Sequence, residues 1–136
     1  MREVIDKPSK RSKLSRFARA TLEFGLRRNG VYRLMFASRV MAYAGKDSEL
    51  HNAGRETFAL LVEALDAPAV GLLRERYALK IWASLHGVIM LAEQGLWTGR
   101  AAGTTREELV EDIVAETKLA LAAAIEAARR EGTVRD

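Results

Sequence analysis

Apolar residues recur at helical spacing through most of this chain, and that periodicity constrains the fold more than any other feature. The long periodic stretches repeat apolar residues three or four positions apart, without the strict alternation of a half-buried strand. Only two prolines, Pro8 and Pro68, occur in the chain. We therefore expect an all-α fold, and a length of 136 residues suits one domain with its own core.

Caps and glycines divide the periodic pattern into about five helices. Asn29 and Gly30 are expected to stop the first helix, because both residues tolerate a positive φ angle. Thr105 and Glu108 form a capping box before the last helix, and Gly95 is the expected end of the fourth. The predicted helices are 14–28, 31–44, 48–65 with Asp47 or Ser48 as its cap, 68–94 and 105–130.

The composition excludes several classes of protein. There is no cysteine, so disulfides, thiolate catalysis and thiolate metal sites are excluded, and the chain suits a reducing cytoplasm. We expect no signal peptide, because the basic start of the chain is not followed by an apolar core and charges recur up to Arg19. The longest uncharged stretch, 81–92, is too short to cross a bilayer. We expect a cytoplasmic protein without a membrane partner.

Positive charge is concentrated at the amino-terminal end. Residues 1–28 contain nine basic and three acidic residues, whereas the whole chain has a net charge of +4. We interpret residues 1–12 as a basic, frayed lead-in and residues 13–136 as the folded domain. Such a lead-in either lies near phosphates or is simply solvated, and the second interpretation is favoured because no base-reading pattern accompanies the charges.

No pattern in the sequence indicates an active site. His51 and His86 are far apart and match no metal-binding spacing. Phosphate loops, dinucleotide fingerprints and nucleophile elbows are all missing from the sequence. The carboxylates fall on the predicted solvent faces, and Glu93 alone lies near the apolar half of the fourth helix. We predict that the chain is not an enzyme and uses neither a metal nor a cofactor.

His86 is the polar residue that carries most information. It lies on one helix face with Trp82 and Met90. One interpretation is a core histidine that donates to a backbone carbonyl. The other is a ligand pocket, because such pockets are mostly apolar with a few polar groups. The same two interpretations, core or pocket wall, apply to Tyr32, Met35, Phe36 and Phe58.

The last predicted helix has an unusually wide apolar surface, with two adjacent stripes. One stripe can face the core of the chain, and the second then requires a partner helix, which indicates a homodimer. The alternative is a central helix buried within one chain. The candidate interface residues are Leu109, Ile113, Val114, Leu121, Ala124, Ile125 and Ala128.

Two short motifs resemble a known family of transcription regulators. Residues 82–87 (WASLHG) resemble the Trp-x-x-x-His-Gly motif of one class of TetR-type carboxy-terminal domains. Residues 31–36 (VYRLMF) resemble the Tyr-Arg-Leu-Met-Phe stretch near the start of the same domains, although Asn29 stands where those domains often have proline. The similarity covers about residues 12–131.

The resemblance implies an effector-binding and dimerisation domain of TetR type. The last two long helices would pair with their copies in a four-helix interface, and the earlier helices would enclose a pocket for a hydrophobic or aromatic effector. The matching pocket positions are Tyr32, Met35, Phe36, Trp82 and His86. Effector binding in the family controls an amino-terminal helix-turn-helix headpiece, and residues 1–12 are too few to form one.

We therefore expect DNA contact only through a headpiece outside this chain. The alternative hypothesis is a stand-alone protein that forms heterodimers with a full-length regulator.

Overall fold

The fold is built from helices alone in the part of the chain that can be described. A computed structural model describes residues 2–6, 11–36, 49–98, 101 and 103–135. These ranges contain no strand, which confirms the predicted all-α class. The helices are α1 (Arg2–Asp6), α2 (Lys13–Arg27), α3 (Asn29–Phe36), α4 (Glu49–Ala64), α5 (Leu73–Glu93) and α6 (Arg106–Arg135).

Two helix ends form where local chemistry predicts them. The Glu108 N–H donates to Thr105 Oγ1 at 3.0 Å, and the Thr105 N–H donates to Glu108 Oε2 at 3.3 Å. These two bonds satisfy amide groups that have no partner within the helix, so the capping box is confirmed. Gly95 follows α5 with a φ angle of +70°, in the left-handed region that glycine adopts without steric cost.

The break between α2 and α3 differs from the prediction. It lies at Arg28, which has φ −121° and ψ 51° and donates its N–H to the Phe24 carbonyl at 2.9 Å. Asn29 and Gly30 begin α3, and neither has a positive φ angle. Instead, Asn29 Nδ2 donates to the Gly25 carbonyl at 3.1 Å and so satisfies an acceptor near the end of α2. Asn29 therefore acts through its side chain and not through its backbone.

Two other helix boundaries differ from the prediction by five residues. α5 begins at Leu73 rather than Pro68, and the connection after α4 contains two separate left-handed residues, Asp66 (φ +49°) and Gly71 (φ +52°), which interrupt helical geometry. α6 continues to Arg135, beyond the predicted end at 130. The predicted extension of the second helix to residue 44 and the cap of the third at 47 or 48 lie outside the described residues.

The start of the chain is partly folded instead of frayed. Ile5 on α1 is only 1% exposed and belongs to the hydrophobic core, and α1 packs against α2. Arg2 Nη1 lies 2.8 Å from Glu63 Oε1 and so ties α1 to α4. Burial of Ile5 holds the short helix on the domain, and the exposed ion pair adds little to it.

The core is organised around α2, which contacts all the other described helices. α2 approaches α5 closely at Gly25, since a Cβ atom there would lie 2.6 Å from Ile89 Cδ1. α5 and α6 also pack against each other, and α3 and α4 lie against α2. Further core residues on these helices are Leu14, Phe17, Ala18, Leu22, Leu61, Ala64, Ala78, Ile81, Leu85, Val88 and Val110.

Candidate functional site

Tyr32 and His86 come together from α3 and α5 and form the centre of the candidate site. Tyr32 Oη lies 2.8 Å from His86 Nδ1, and the two ring centroids are 5.6 Å apart with an interplanar angle of 29°. Tyr32 is 1% exposed, whereas His86 is half-buried. Burial raises the pKa of Tyr32 to about 12, so the hydroxyl keeps its proton at neutral pH. The pair joins two helices through one hydrogen bond.

A second aromatic pair lies one helical turn earlier on α5. Trp82 contacts Phe58 of α4, with ring centroids 5.5 Å apart and an interplanar angle of 37°. Both side chains are half-buried and pack against the core. On the other side of the site, Phe24 makes an edge contact with Tyr32 at 6.4 Å and 67°. Phe24 of α2 thus contacts the Tyr32 ring directly, and the Phe58–Trp82 pair adjoins the site through the position of Trp82 on α5.

The predicted methionines lie at the margins of this cluster. Met90 is half-buried one turn after His86 and packs against the core. Met35 is half-buried near the end of α3. Phe36 is the last residue of α3, and its side chain lies outside the described part of the protein. The assignment of these three residues to a ligand pocket stays a prediction.

An ion pair next to the site was missed in the sequence. Arg33 Nη1 lies 3.1 Å from Glu93 Oε1, which links α3 to the end of α5. The sequence identified Glu93 only as the acid nearest the apolar half of its helix. Arg33 adjoins Tyr32 in the sequence, and Glu93 follows His86 by about two turns, so this ion pair and the Tyr32–His86 bond both attach α3 to α5.

A polar cluster between α2 and α6 was also missed. Glu111 Oε1 accepts a hydrogen bond from Ser15 Oγ at 2.6 Å and another from Arg19 Nε at 2.6 Å. Burial by itself raises the pKa of Glu111, but the bonds from Ser15 and Arg19 outweigh it and the net shift is downward. The available signal was Ser15, a polar residue beside Leu14 on the apolar face of its helix, because a buried hydroxyl needs a partner.

Three clefts open elsewhere on the described surface, and none of these three is lined by Tyr32, Trp82 or His86. One of about 560 Å³ lies along α2 and is lined by Arg11, Arg16, Arg19 and Arg27 among others. One of about 660 Å³ lies between the start of α2, the turn after α4, and α6. The third, about 430 Å³, lies between Trp97 and the start of α6.

The candidate interface residues on α6 divide into two groups. Val114, Leu121 and Ile125 are buried within the single chain, so they form its own core and are not available to a partner in this arrangement. The remaining candidates are half-buried: Leu109, Ile113, Ala124 and Ala128. Large apolar residues that remain exposed on the two long helices are Leu79 (61%), Leu91 (45%) and Leu119 (74%).

Two further properties concern the described residues. No group of three or more His, Cys, Asp or Glu side chains there is arranged to hold a metal ion. Over the same residues, no helix combines the length and the hydropathy that crossing a membrane requires.

Comparison with known proteins gives one match. No curated protein and no solved structure was found to be similar. A family model, described as the tetracyclin repressor-like C-terminal domain, matches residues 14–117, which is most of the chain. This range contains α2 except for its first residue, Lys13, and the whole of α3, α4 and α5, including Tyr32, Trp82 and His86. The chain therefore belongs to the TetR-like C-terminal domain family.

Proposed function

We propose that this domain binds a small effector and dimerises, and that effector binding controls a helix-turn-helix headpiece outside these 136 residues. The observation that carries the proposal is the family match over residues 14–117. The role is therefore regulatory and not enzymatic, and it would be exercised in the cytoplasm, where the DNA is. We place this chain in the Trp-His-Gly class of the family, on the spacing of Trp82, His86 and Gly87.

The effector site that we propose is the aromatic cluster between α3, α4 and α5. Trp82 and Phe58 supply apolar ring surface at 5.5 Å from each other, and Met90 supplies an adaptable thioether. His86 supplies an imidazole in this apolar setting, and it is half-buried. A mostly apolar wall with few polar groups suits a hydrophobic or aromatic small molecule. We include Tyr32, Met35 and Phe36 in the site on the strength of the family resemblance.

The second part of the proposal is a homodimer formed by α5 and α6. These two helices already pack together within one chain. Leu79 and Leu91 on α5 and Leu119 on α6 remain exposed to solvent. A second subunit that covered these leucines would remove their apolar surface from water. A four-helix arrangement with a second copy would bury them together with the half-buried Leu109 and Ile113.

The dimer is tested by measuring molar mass with light scattering after gel filtration. We expect a dimer at micromolar concentration, and we expect Leu119→Glu to shift it to a monomer because a charge would be buried at the contact. Leu96→Glu is the matched control, since Leu96 is 60% exposed but follows the end of α5. A monomeric wild-type chain, or equal effects of the two variants, would contradict the proposed interface.

A further inference from the structure

The bond between Tyr32 and His86 determines more than the position of the imidazole ring. A neutral imidazole has one nitrogen that carries a proton and one that accepts a hydrogen bond. Nδ1 of His86 is the nitrogen that faces Tyr32 Oη at 2.8 Å. If Tyr32 donates in this bond, Nδ1 is the acceptor and Nε2 carries the ring proton. If Nδ1 donates instead, Nε2 is an acceptor.

The chemistry of the two groups favours tyrosine as the donor. The sp² nitrogen of imidazole is a much stronger base than a phenol oxygen, and a phenol O–H is a better donor than an imidazole N–H. Nδ1 then acts as the acceptor, and the ring proton lies on Nε2.

Nε2 is the ring position that is still available. The described part of the chain offers it no hydrogen-bond partner, and the half-buried His86 side chain follows Trp82 by about one turn of α5. A ligand that displaces water from this N–H must supply an acceptor in its place, because a donor left without a partner is costly. An effector that fills the site is in a position to supply that acceptor.

We propose that Tyr32 fixes His86 as the Nε2-protonated tautomer, so that His86 is a hydrogen-bond donor to the effector and selects molecules that carry an acceptor. This inference rests on the proposed function for the existence of the effector site. The ligand class is a hydrophobic or aromatic molecule with a carbonyl, carboxylate, ether or similar oxygen. Cationic amines and pure hydrocarbons are disfavoured, because neither can accept from Nε2–H. Tyr32 acts as a positioning residue, through His86.

The first test measures the tautomer without any effector. Long-range ¹⁵N–¹H correlation spectra of labelled protein distinguish the two neutral forms of histidine, at a pH above its ordinary pKa. The chain has two histidines, and His51→Gln assigns the remaining signal to His86. We expect protonation at Nε2, and a mixture of both forms in Tyr32→Phe. A wild-type ring protonated at Nδ1 would overturn the assignment even if effectors bind.

The second test uses two probes of almost equal shape, acetophenone and α-methylstyrene, which differ in C=O against C=CH₂. We expect acetophenone to bind about three- to ten-fold more tightly, as one neutral hydrogen bond allows. It should also shift the His86 Nε2–H resonance, whereas α-methylstyrene should not.

The preference for the ketone should disappear in Tyr32→Phe. If Tyr32 has a purely structural role, the same substitution would lower the free energy of unfolding without changing that preference. If both probes bind equally well with the Nε2 tautomer present, the selectivity is refuted while the pocket stands. If neither probe binds at millimolar concentration, both the stated ligand class and the proposed pocket are refuted.

Discussion

Replacing Gly25 by alanine tests how closely α2 and α5 approach each other. A Cβ atom at Gly25 would lie 2.6 Å from Ile89 Cδ1 and 3.0 Å from both Cγ1 and Cγ2 of the same side chain. Ile89 is completely buried, so its side chain has little space into which to move. The substitution therefore forces either the isoleucine or one of the two helices to shift.

Two opposing contributions set the size of the effect. Overpacking a filled core costs about 1–3 kcal/mol of unfolding free energy. Alanine in place of glycine within a helix contributes about 1 kcal/mol in favour of folding. We therefore expect Gly25→Ala to destabilise the domain by about 1 kcal/mol. Gly54→Ala is the matched control, because Gly54 lies within α4 and its added Cβ meets nothing within 4 Å. It should stabilise by up to about 1 kcal/mol.

The measurement is urea unfolding followed by circular dichroism, at one protein concentration because dimerisation adds to apparent stability. A double-mutant cycle with Ile89→Val, which removes the closest carbon atom, should recover about 1 kcal/mol in the combined variant relative to additivity. If Gly25→Ala stabilises the domain as much as Gly54→Ala does, α2 and α5 do not approach each other closely at Gly25.

Three further substitutions test other contacts. Glu111→Gln should lower stability by about 1 kcal/mol at neutral pH, a value reduced for the partial exposure of the carboxylate. The pKa of Glu111 is lowered in the folded state. The difference in unfolding free energy between the wild type and Glu111→Gln should therefore be complete above the pKa of an unfolded glutamate, and it should disappear as the pH falls through the folded-state pKa. Urea unfolding at a series of pH values measures this difference. Thr105→Ala should cost about 0.5–2 kcal/mol by removing the cap of α6 in chemical unfolding. Ile5→Ala should cost about 2–4 kcal/mol in the same assay, because Ile5 is fully buried.

Each of these substitutions has a control nearby in the chain. Asp112→Asn changes an exposed carboxylate next to Glu111 and should leave stability almost unchanged at every pH. Thr104→Ala removes an exposed hydroxyl one residue before the cap, and Glu3→Ala removes an exposed side chain from α1. The same loss for a variant and its control would mean that the named contact does not carry the effect.

Local features of the fold could be predicted because they depend on neighbouring residues only. The capping box at the start of α6 and the glycine after α5 are short-range interactions, and both form as the residue types require. The break at Arg28 was placed one residue too late. Asn29 is compatible with a positive φ angle, but its side chain instead bonds a carbonyl of the preceding helix.

Contacts between distant segments could not be predicted in the same way. The motifs singled out Tyr32 and His86 separately, whereas their hydrogen bond depends on how α3 crosses α5, 54 residues later in the chain. The bonds of Glu111 with Ser15 and Arg19 depend likewise on the packing of α2 against α6. A polar side chain on the apolar face of a helix requires a hydrogen-bond partner, but helical periodicity does not identify that partner.

The apolar surface of α6 separates what the sequence alone determined from what the tertiary structure decided. The sequence alone established that the fold is helical and that the last helix has two adjacent apolar stripes, because spacing along a helix follows from its geometry. Only the packing of α6 against α2 and α5 decided that Val110, Val114, Leu121 and Ile125 face the core while Leu119 stays in solvent. A helix that is apolar on two faces satisfies the same periodicity in either orientation. The orientation is therefore selected by the side chains of the neighbouring helices into which it packs.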